Sequence, residues 1–118
     1  MLNKISTEQV YLSCGSTDMR KSIDGLAAIV QESFSLDPFS SCLFVFCNKN
    51  CNKIKILQWK HNGFWLHYRR LEKGRFRWPK EDKFSPLEIS YRELNWLLDG
   101  LSLSQSQAHK KVTSSIVI

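Results

Sequence analysis

Apolar residues return every three or four positions between Met19 and Phe34 and again between Leu94 and Leu101, whereas from Lys53 to Trp78 they tend to alternate with polar ones. The first spacing marks a helix with one buried stripe, and the second marks strands with one covered face. Met19, Ile23, Leu26, Val30 and Phe34 form the longer stripe. It is preceded by a short strand, Gln9 to Ser13, and by Gly15-Ser16, with Thr17 expected to cap the helix and Asp18 to lie in its first turn. Gly25 inside this helix implies close packing or a local weakness. The Asp37-Pro38 pair closes the helical region, because a residue before proline is driven out of helical geometry.

Leu43-Phe44-Val45-Phe46 is an unbroken apolar run of strand length and reads as a central strand covered on both faces. Three alternating segments follow, Lys53 to Trp59, Phe64 to Arg69 and Arg75 to Trp78. Turns are expected at Asn48 to Asn52, at His61-Asn62-Gly63 and at Lys73-Gly74, the last as a hairpin connection. Residues 80–86 read as a polar loop. Ser90 with Glu93 three positions later is a capping-box pattern, and Leu94, Leu97, Leu98 and Leu101 form the stripe of a short second helix closed near Gly100. The order β-α-β-β-β-β-α predicts one α+β domain over residues 1–101. Its sheet has four to five strands, most simply an antiparallel meander over residues 42–78, with a longer N-terminal helix and a short C-terminal one. Residues 102–118 lack periodicity and are expected to form a flexible tail.

Charge changes this picture more than composition does. The chain of 118 residues has 42% hydrophobic and 24% charged residues, close to an average globular protein, and carries a net charge of +6. Eleven of its seventeen Lys and Arg residues lie between Lys49 and Lys83, facing only Glu72, Glu81 and Asp82 there, a local excess of +8 that leaves the remainder at −2. A basic block inside a folded region points to an anionic partner such as nucleic acid. No apolar run reaches the roughly 20 residues needed to span a bilayer, and no signal-peptide pattern opens the chain, so a cytoplasmic protein with no membrane partner is expected. Cys14, Cys42, Cys47 and Cys51 are expected to be free thiols in that reducing compartment.

The strongest functional signal is the stretch from Tyr68 to Pro79, which reads as a basic hairpin. A two-stranded ribbon fits a major groove, and its cations neutralise phosphates. If the strands form a meander, one face carries Lys53, Lys55, Arg69, Arg75 and Arg77. Arg70 and Lys73 belong to the same hairpin, and Arg20 and Lys21 near the first helix are secondary DNA-binding candidates. Trp59, Trp65 and Trp78 are candidates for stacking on unpaired bases, although the preferred reading of these aromatics is as core, Phe76 and Trp78 above all. Cys47, Cys51, His61 and His67 only approximate the spacing of a structural zinc site, and no metal or other cofactor is expected. A metal-dependent nuclease would need clustered carboxylates. Asp18 and Asp24, six apart, do not share a helix face, and Asp37 lies beyond the helix. No general base is placed beside a cysteine, and Cys14-Gly15-Ser16-Thr17 lacks the spacing and lysine of a P-loop. The expectation is a protein that is not an enzyme and takes no small-molecule substrate.

Several strings resemble the TnpB-type accessory protein of the insertion-sequence-sixty-six family. They are Val10-Tyr11-Leu12 with Cys14-Gly15, Thr17-Asp18-Met19-Arg20-Lys21, Asp24-Gly25-Leu26, Asp37-Pro38, Leu43-Phe44-Val45-Phe46 with Asn48, Lys55-Ile56-Leu57 with Trp59, Gly63-Phe64, and Tyr68 to Pro79. The resemblance covers about residues 10–100 and implies a role in transposition beside a separate transposase, with no catalytic residue to carry over. Cys47, Asn50 and Cys51 depart from a turn that is usually richer in arginine, which weakens any DNA contact expected of that turn. Two partners follow: DNA, at the element ends, and the transposase. In the competing reading the chain docks on the transposase through the second helix, including Trp96, and the C-terminal segment.

Overall fold

The computed structural model describes residues 9–80 and 85–103. It is α+β, as expected. A five-stranded sheet is built from β1 (Val10–Ser16), β2 (Leu43–Cys47), β3 (Lys53–Lys60), β4 (Gly63–Arg70) and β5 (Leu87–Ile89), in the spatial order β4-β3-β2-β1-β5. Two helices accompany it, α1 (Ile23–Ala28), which runs on into a π-helical turn over Ile29–Ser33, and α2 (Tyr91–Leu98).

The sheet is mixed, which corrects the all-antiparallel expectation. β1 and β2 are parallel, Val10 opposite Leu43 and Leu12 opposite Val45, while β2–β3, β3–β4 and β1–β5 are antiparallel. A parallel pair needs a long crossover, and residues 17–42 with α1 supply it. The apolar run of β2 is buried at all five positions because it lies third of five and is covered on both sides.

Two apolar clusters flank the sheet. On one side Leu26 and Val30 pack with Phe44, Phe46 and Leu57, and Met19, Ile23 and Phe34 adjoin them, so the expected stripe faces the core throughout. The helix itself begins later than expected. Thr17 is buried and donates its backbone N–H to the Cys47 carbonyl at 2.8 Å, which continues the β1–β2 pairing instead of capping a helix. Ser22 occupies the cap position without a side-chain cap bond. The helical run stops before Pro38, with Ser35 at φ +55° and the Leu36 N–H on the Val30 carbonyl at 3.0 Å, the closure typical of a left-handed helix end. Gly25 does pack closely: a β-carbon there would lie 3.3 Å from the Lys21 Cβ.

On the other side Val10, Leu12, Leu43, Val45, Ile54 and Ile56 meet Leu94 and Leu97 of α2 together with Phe76 and Trp78. The last two residues overturn the second hairpin. Residues 71–80 form no strand; they leave β4 and run over this face as an extended strap. Backbone N–H groups of Leu71 and Phe76 bond the carbonyls of Asn52 and Cys51 at 2.8 and 2.7 Å, and the Trp78 indole donates to the Ser13 carbonyl at 2.9 Å. Lys73-Gly74 is a bend, with Gly74 at φ +83°. As an outer strand the segment would leave its large rings at a sheet edge, whereas folded over the face they complete a core.

The fifth strand is instead Leu87–Ile89, directly after the stretch read as loop and directly before the Ser90 cap. α2 forms as expected: Ser90 Oγ accepts the Glu93 N–H at 3.0 Å, and Glu93 Oε1 accepts the Ser90 N–H at 2.8 Å. Leu103 packs against the core, and residues 104–118 of the segment read as a tail lie outside the described residues. Among the described residues no helix is long and apolar enough to cross a membrane.

Candidate nucleic-acid interface

The strand register decides which cations share a surface. Directly opposed residues of an antiparallel pair lie on the same face, so Lys53 goes with Arg70, and Lys55 with Tyr68, on the α1 side. Arg69, opposite Ile54, lies on the other side with Trp65 and His67. The single basic face expected for Lys53, Lys55, Arg69, Arg75 and Arg77 is therefore split. The expectation failed for Arg69 because periodicity does not fix the β3–β4 register, and for Arg75 and Arg77 because it assumed a fourth meander strand where the chain forms a strap.

Lys53 and Lys55 instead join residues from other segments. Ser16 and Thr17 end β1, Asp18, Met19 and Arg20 follow it, and Asn48, Lys49 and Asn50 follow β2. With Lys53, Lys55 and Tyr68 these line a cleft of about 730 Å³. It opens beyond the carboxyl ends of the two parallel strands, where open sheets with helical crossovers generally bind ligands. Arg20, named a secondary candidate, is thus brought beside Lys53 and Lys55. Lys49, which opens the basic block, and Tyr68, which opens the hairpin stretch, also line the cleft although neither is among the named DNA-binding candidates. The Lys49 turn had been discounted for its lack of arginine.

Local bonds shape the cleft. Asn48 closes the β2–β3 turn by accepting the backbone N–H groups of Asn52 and Lys53 on Oδ1, both at 3.0 Å, with Cys51 at φ +56°. Lys55 spends two donors on the loop across from it, to the carbonyls of Met19 at 2.7 Å and Lys21 at 2.8 Å, and its ammonium lies 5.9 Å from the centre of the Tyr68 ring. Lys21 enters the arrangement through its carbonyl. Asp18 is the one carboxylate on the cleft. It pairs with Arg20 at 2.8 Å, and this pairing holds its pKa down at about 2, first through the guanidinium bond and then through the Arg20 backbone N–H. Arg20 nonetheless remains 91% exposed. Among the described residues neither Lys49 nor Lys53 is in an ion pair.

Elsewhere the candidates are differently placed. Arg70 pairs with Glu72 at 2.8 Å. Arg75 and Arg77 are exposed on the strap and line a cleft of about 670 Å³ together with Glu88 and Glu93. Lys73 is exposed at the bend. Trp78 is core, as is Phe76, and Trp59 packs against Phe39 and Phe64 with centroids 4.9 Å from each. Trp65 is 58% exposed on the edge strand. Trp96 of α2 is half-buried, with the Arg92 guanidinium 5.3 Å from its ring centre.

The four residues of the zinc arrangement separate. Cys47 and Cys51 line one cleft with Cys14 and Trp78, and His61 and His67 line another. Burial, followed by the neighbouring Cys51, pushes the Cys47 thiol far up. Among the described residues no group of three or more His, Cys, Asp or Glu side chains is placed to hold a metal ion.

The family model of the IS66 Orf2-like protein matches residues 8–108. The chain is 34% identical over 107 residues to "Uncharacterized protein y4hO" of Sinorhizobium fredii (strain NBRC 101917 / NGR234), covering 91% of this chain and 92% of that one. It is 30% identical over 93 residues to "Uncharacterized protein y4jC" of the same strain, covering 79% of each. No solved structure matches. With the whole sheet and both helices inside the matched span, the chain belongs to the IS66 Orf2-like family, TnpB of that insertion-sequence group.

Proposed function

We propose that this transposition accessory protein holds the DNA backbone in the cleft beyond β1 and β2 and performs no chemistry there itself. The supporting observation is the convergence of Lys49, Lys53 and Lys55 with the Arg20–Asp18 pair on one open cleft, four cations against one carboxylate. Cations on a rigid sheet end meet phosphate oxygens without reading sequence, so the cleft positions DNA and leaves end recognition to other contacts or to the transposase. Amides of Asn48 and Asn50 and the Tyr68 hydroxyl add uncharged groups suited to phosphate and sugar. No pair of carboxylates or histidines faces the same space for acid–base or metal-assisted hydrolysis among the residues lining it.

A titration of fluorescently labelled duplex DNA across a salt series tests this reading. The logarithm of affinity should fall linearly with the logarithm of salt, at about −0.9 per phosphate neutralised. The double substitution K49A/K53A should flatten that slope by about 1.8 if each lysine meets one phosphate. Absence of binding at low salt, or an unchanged slope in the double variant, would remove the cleft from consideration and shift the role to docking on the transposase.

A further inference from the structure

Only one of the three tryptophans considered for base stacking keeps an open ring face, and its surroundings are specific. Trp65 stands on edge strand β4, stacked against His67 with centroids 6.0 Å apart and planes 5° apart. The two rings alternate on one face of the strand, about 6.7 Å apart along it, and Arg69 continues the same row. Gln58, opposite Trp65 on β3 and only 7% exposed, places its Oε1 3.0 Å from His67 Nε2, which fixes the plane of the imidazole. Burial lowers the pKa of His67, so the ring is neutral near pH 7 and adds an uncharged π surface to the indole. Lys60 and His61 close the end of this pocket, whose volume is about 330 Å³. That is at the lower end of the ~300–1,000 Å³ range of small-ligand pockets.

We propose that Trp65 and its pocket bind an unpaired base of single-stranded DNA. This rests on the DNA-binding reading above and adds to it a second surface with a different ligand form. In a duplex the base faces are covered by neighbouring bases, so an exposed indole on a sheet can engage only a base taken out of the stack. The charges agree with that occupant. Lys60 lies at one end of the aromatic pair and Arg69 at the other, as phosphates on either side of a stacked base require. The pocket is on the opposite face of the sheet from Lys53 and Lys55, so the single-strand and duplex surfaces are separable by mutation.

The test compares a fluorescein-labelled oligothymidylate with a duplex of equal length, using the full chain and its W65A and W65F variants. W65A should weaken oligothymidylate binding about 5- to 150-fold, the range for loss of one stacked base, and leave duplex binding unchanged. W65F should retain most of the affinity. An oligonucleotide of the same length carrying abasic sites should bind the unaltered protein as weakly as oligothymidylate binds W65A, which checks the ring without relying on a variant. Equal affinity of W65A and the unaltered protein for oligothymidylate, or equal affinity of the abasic and normal strands, would overturn the proposal. Binding of duplex but not of single strand would overturn it and leave the cleft reading intact. Absence of binding to either form at low salt would overturn both.

Discussion

Strand β4 and the strap that follows it have nearly the same composition, Trp65 to Arg70 mixing aromatics with His and Arg, and Arg75 to Trp78 alternating Arg with Phe and Trp. The fold uses them in opposite ways. β4 hydrogen-bonds along its length to β3 and, as an edge strand, leaves Trp65 and Tyr68 58% and 53% exposed. The strap has few backbone partners and places Phe76 and Trp78 in the core, at 3% and 9% exposure. Where a strand ladder supplies the backbone bonds, a large ring is free to face solvent; where it does not, burial of the rings must hold the segment down.

The widest separation between the two regions should be in stability. W78A removes a ring buried in the same core cluster as Ile54, Ile56 and Leu94, and with it the indole bond to the Ser13 carbonyl, and should cost about 3–5 kcal/mol in urea unfolding. W65A on the exposed edge should stay within about 0.5 kcal/mol of the unaltered protein. Similar losses from both substitutions would show that β4 and the strap do not divide core and surface in this way.

A second contrast falls within the cleft beside β4. Lys55 ties the 19–21 loop to the sheet through two carbonyls, and Lys53 next to it on the same face makes no ion pair among the described residues. K55A should therefore lower stability by about 1.5–3 kcal/mol, as expected for loss of charge-assisted hydrogen bonds, as well as weaken DNA binding. K53A should weaken binding while leaving stability within about 0.5 kcal/mol. A K55A protein as stable as K53A in the same urea series would make Lys55 an ordinary surface cation.

What the sequence disclosed follows the range of each interaction. The α2 cap was legible because Ser90 and Glu93 satisfy each other within one turn. The β3–β4 turn was legible because His61-Asn62 tolerates the two positive φ values, +54° and +64°, that a tight hairpin requires. Periodicity also found the buried faces, including the strap's alternation. It does not name a partner strand, and so it could not tell a parallel β1–β2 pair from an antiparallel one, or a strap from a hairpin arm. The cleft suffered from the same limit. Lys53 and Lys55 were selected by charge, yet their neighbours Arg20 and Lys49 come from two loops that only the parallel pairing brings to one end of the sheet.

The junction of β4 and the strap offers the finest test. Arg70 is the last residue of β4, on the same face as Lys53, and its guanidinium is held at 2.8 Å by Glu72, the second residue of the strap. Both side chains are well exposed, so the pair adds little to stability. Its effect is on where the charge is spent: a guanidinium engaged by a carboxylate must release it before meeting a phosphate. E72Q removes that competitor and keeps the side-chain length. Thermal unfolding of E72Q should match the unaltered protein, while its duplex binding should strengthen and its salt slope steepen by up to about 0.9, one further phosphate contact. An unchanged slope would place Arg70 outside the DNA path and confine the duplex surface to Arg20, Lys49, Lys53 and Lys55. A steeper one would extend that surface along β4 to the point where the strap departs.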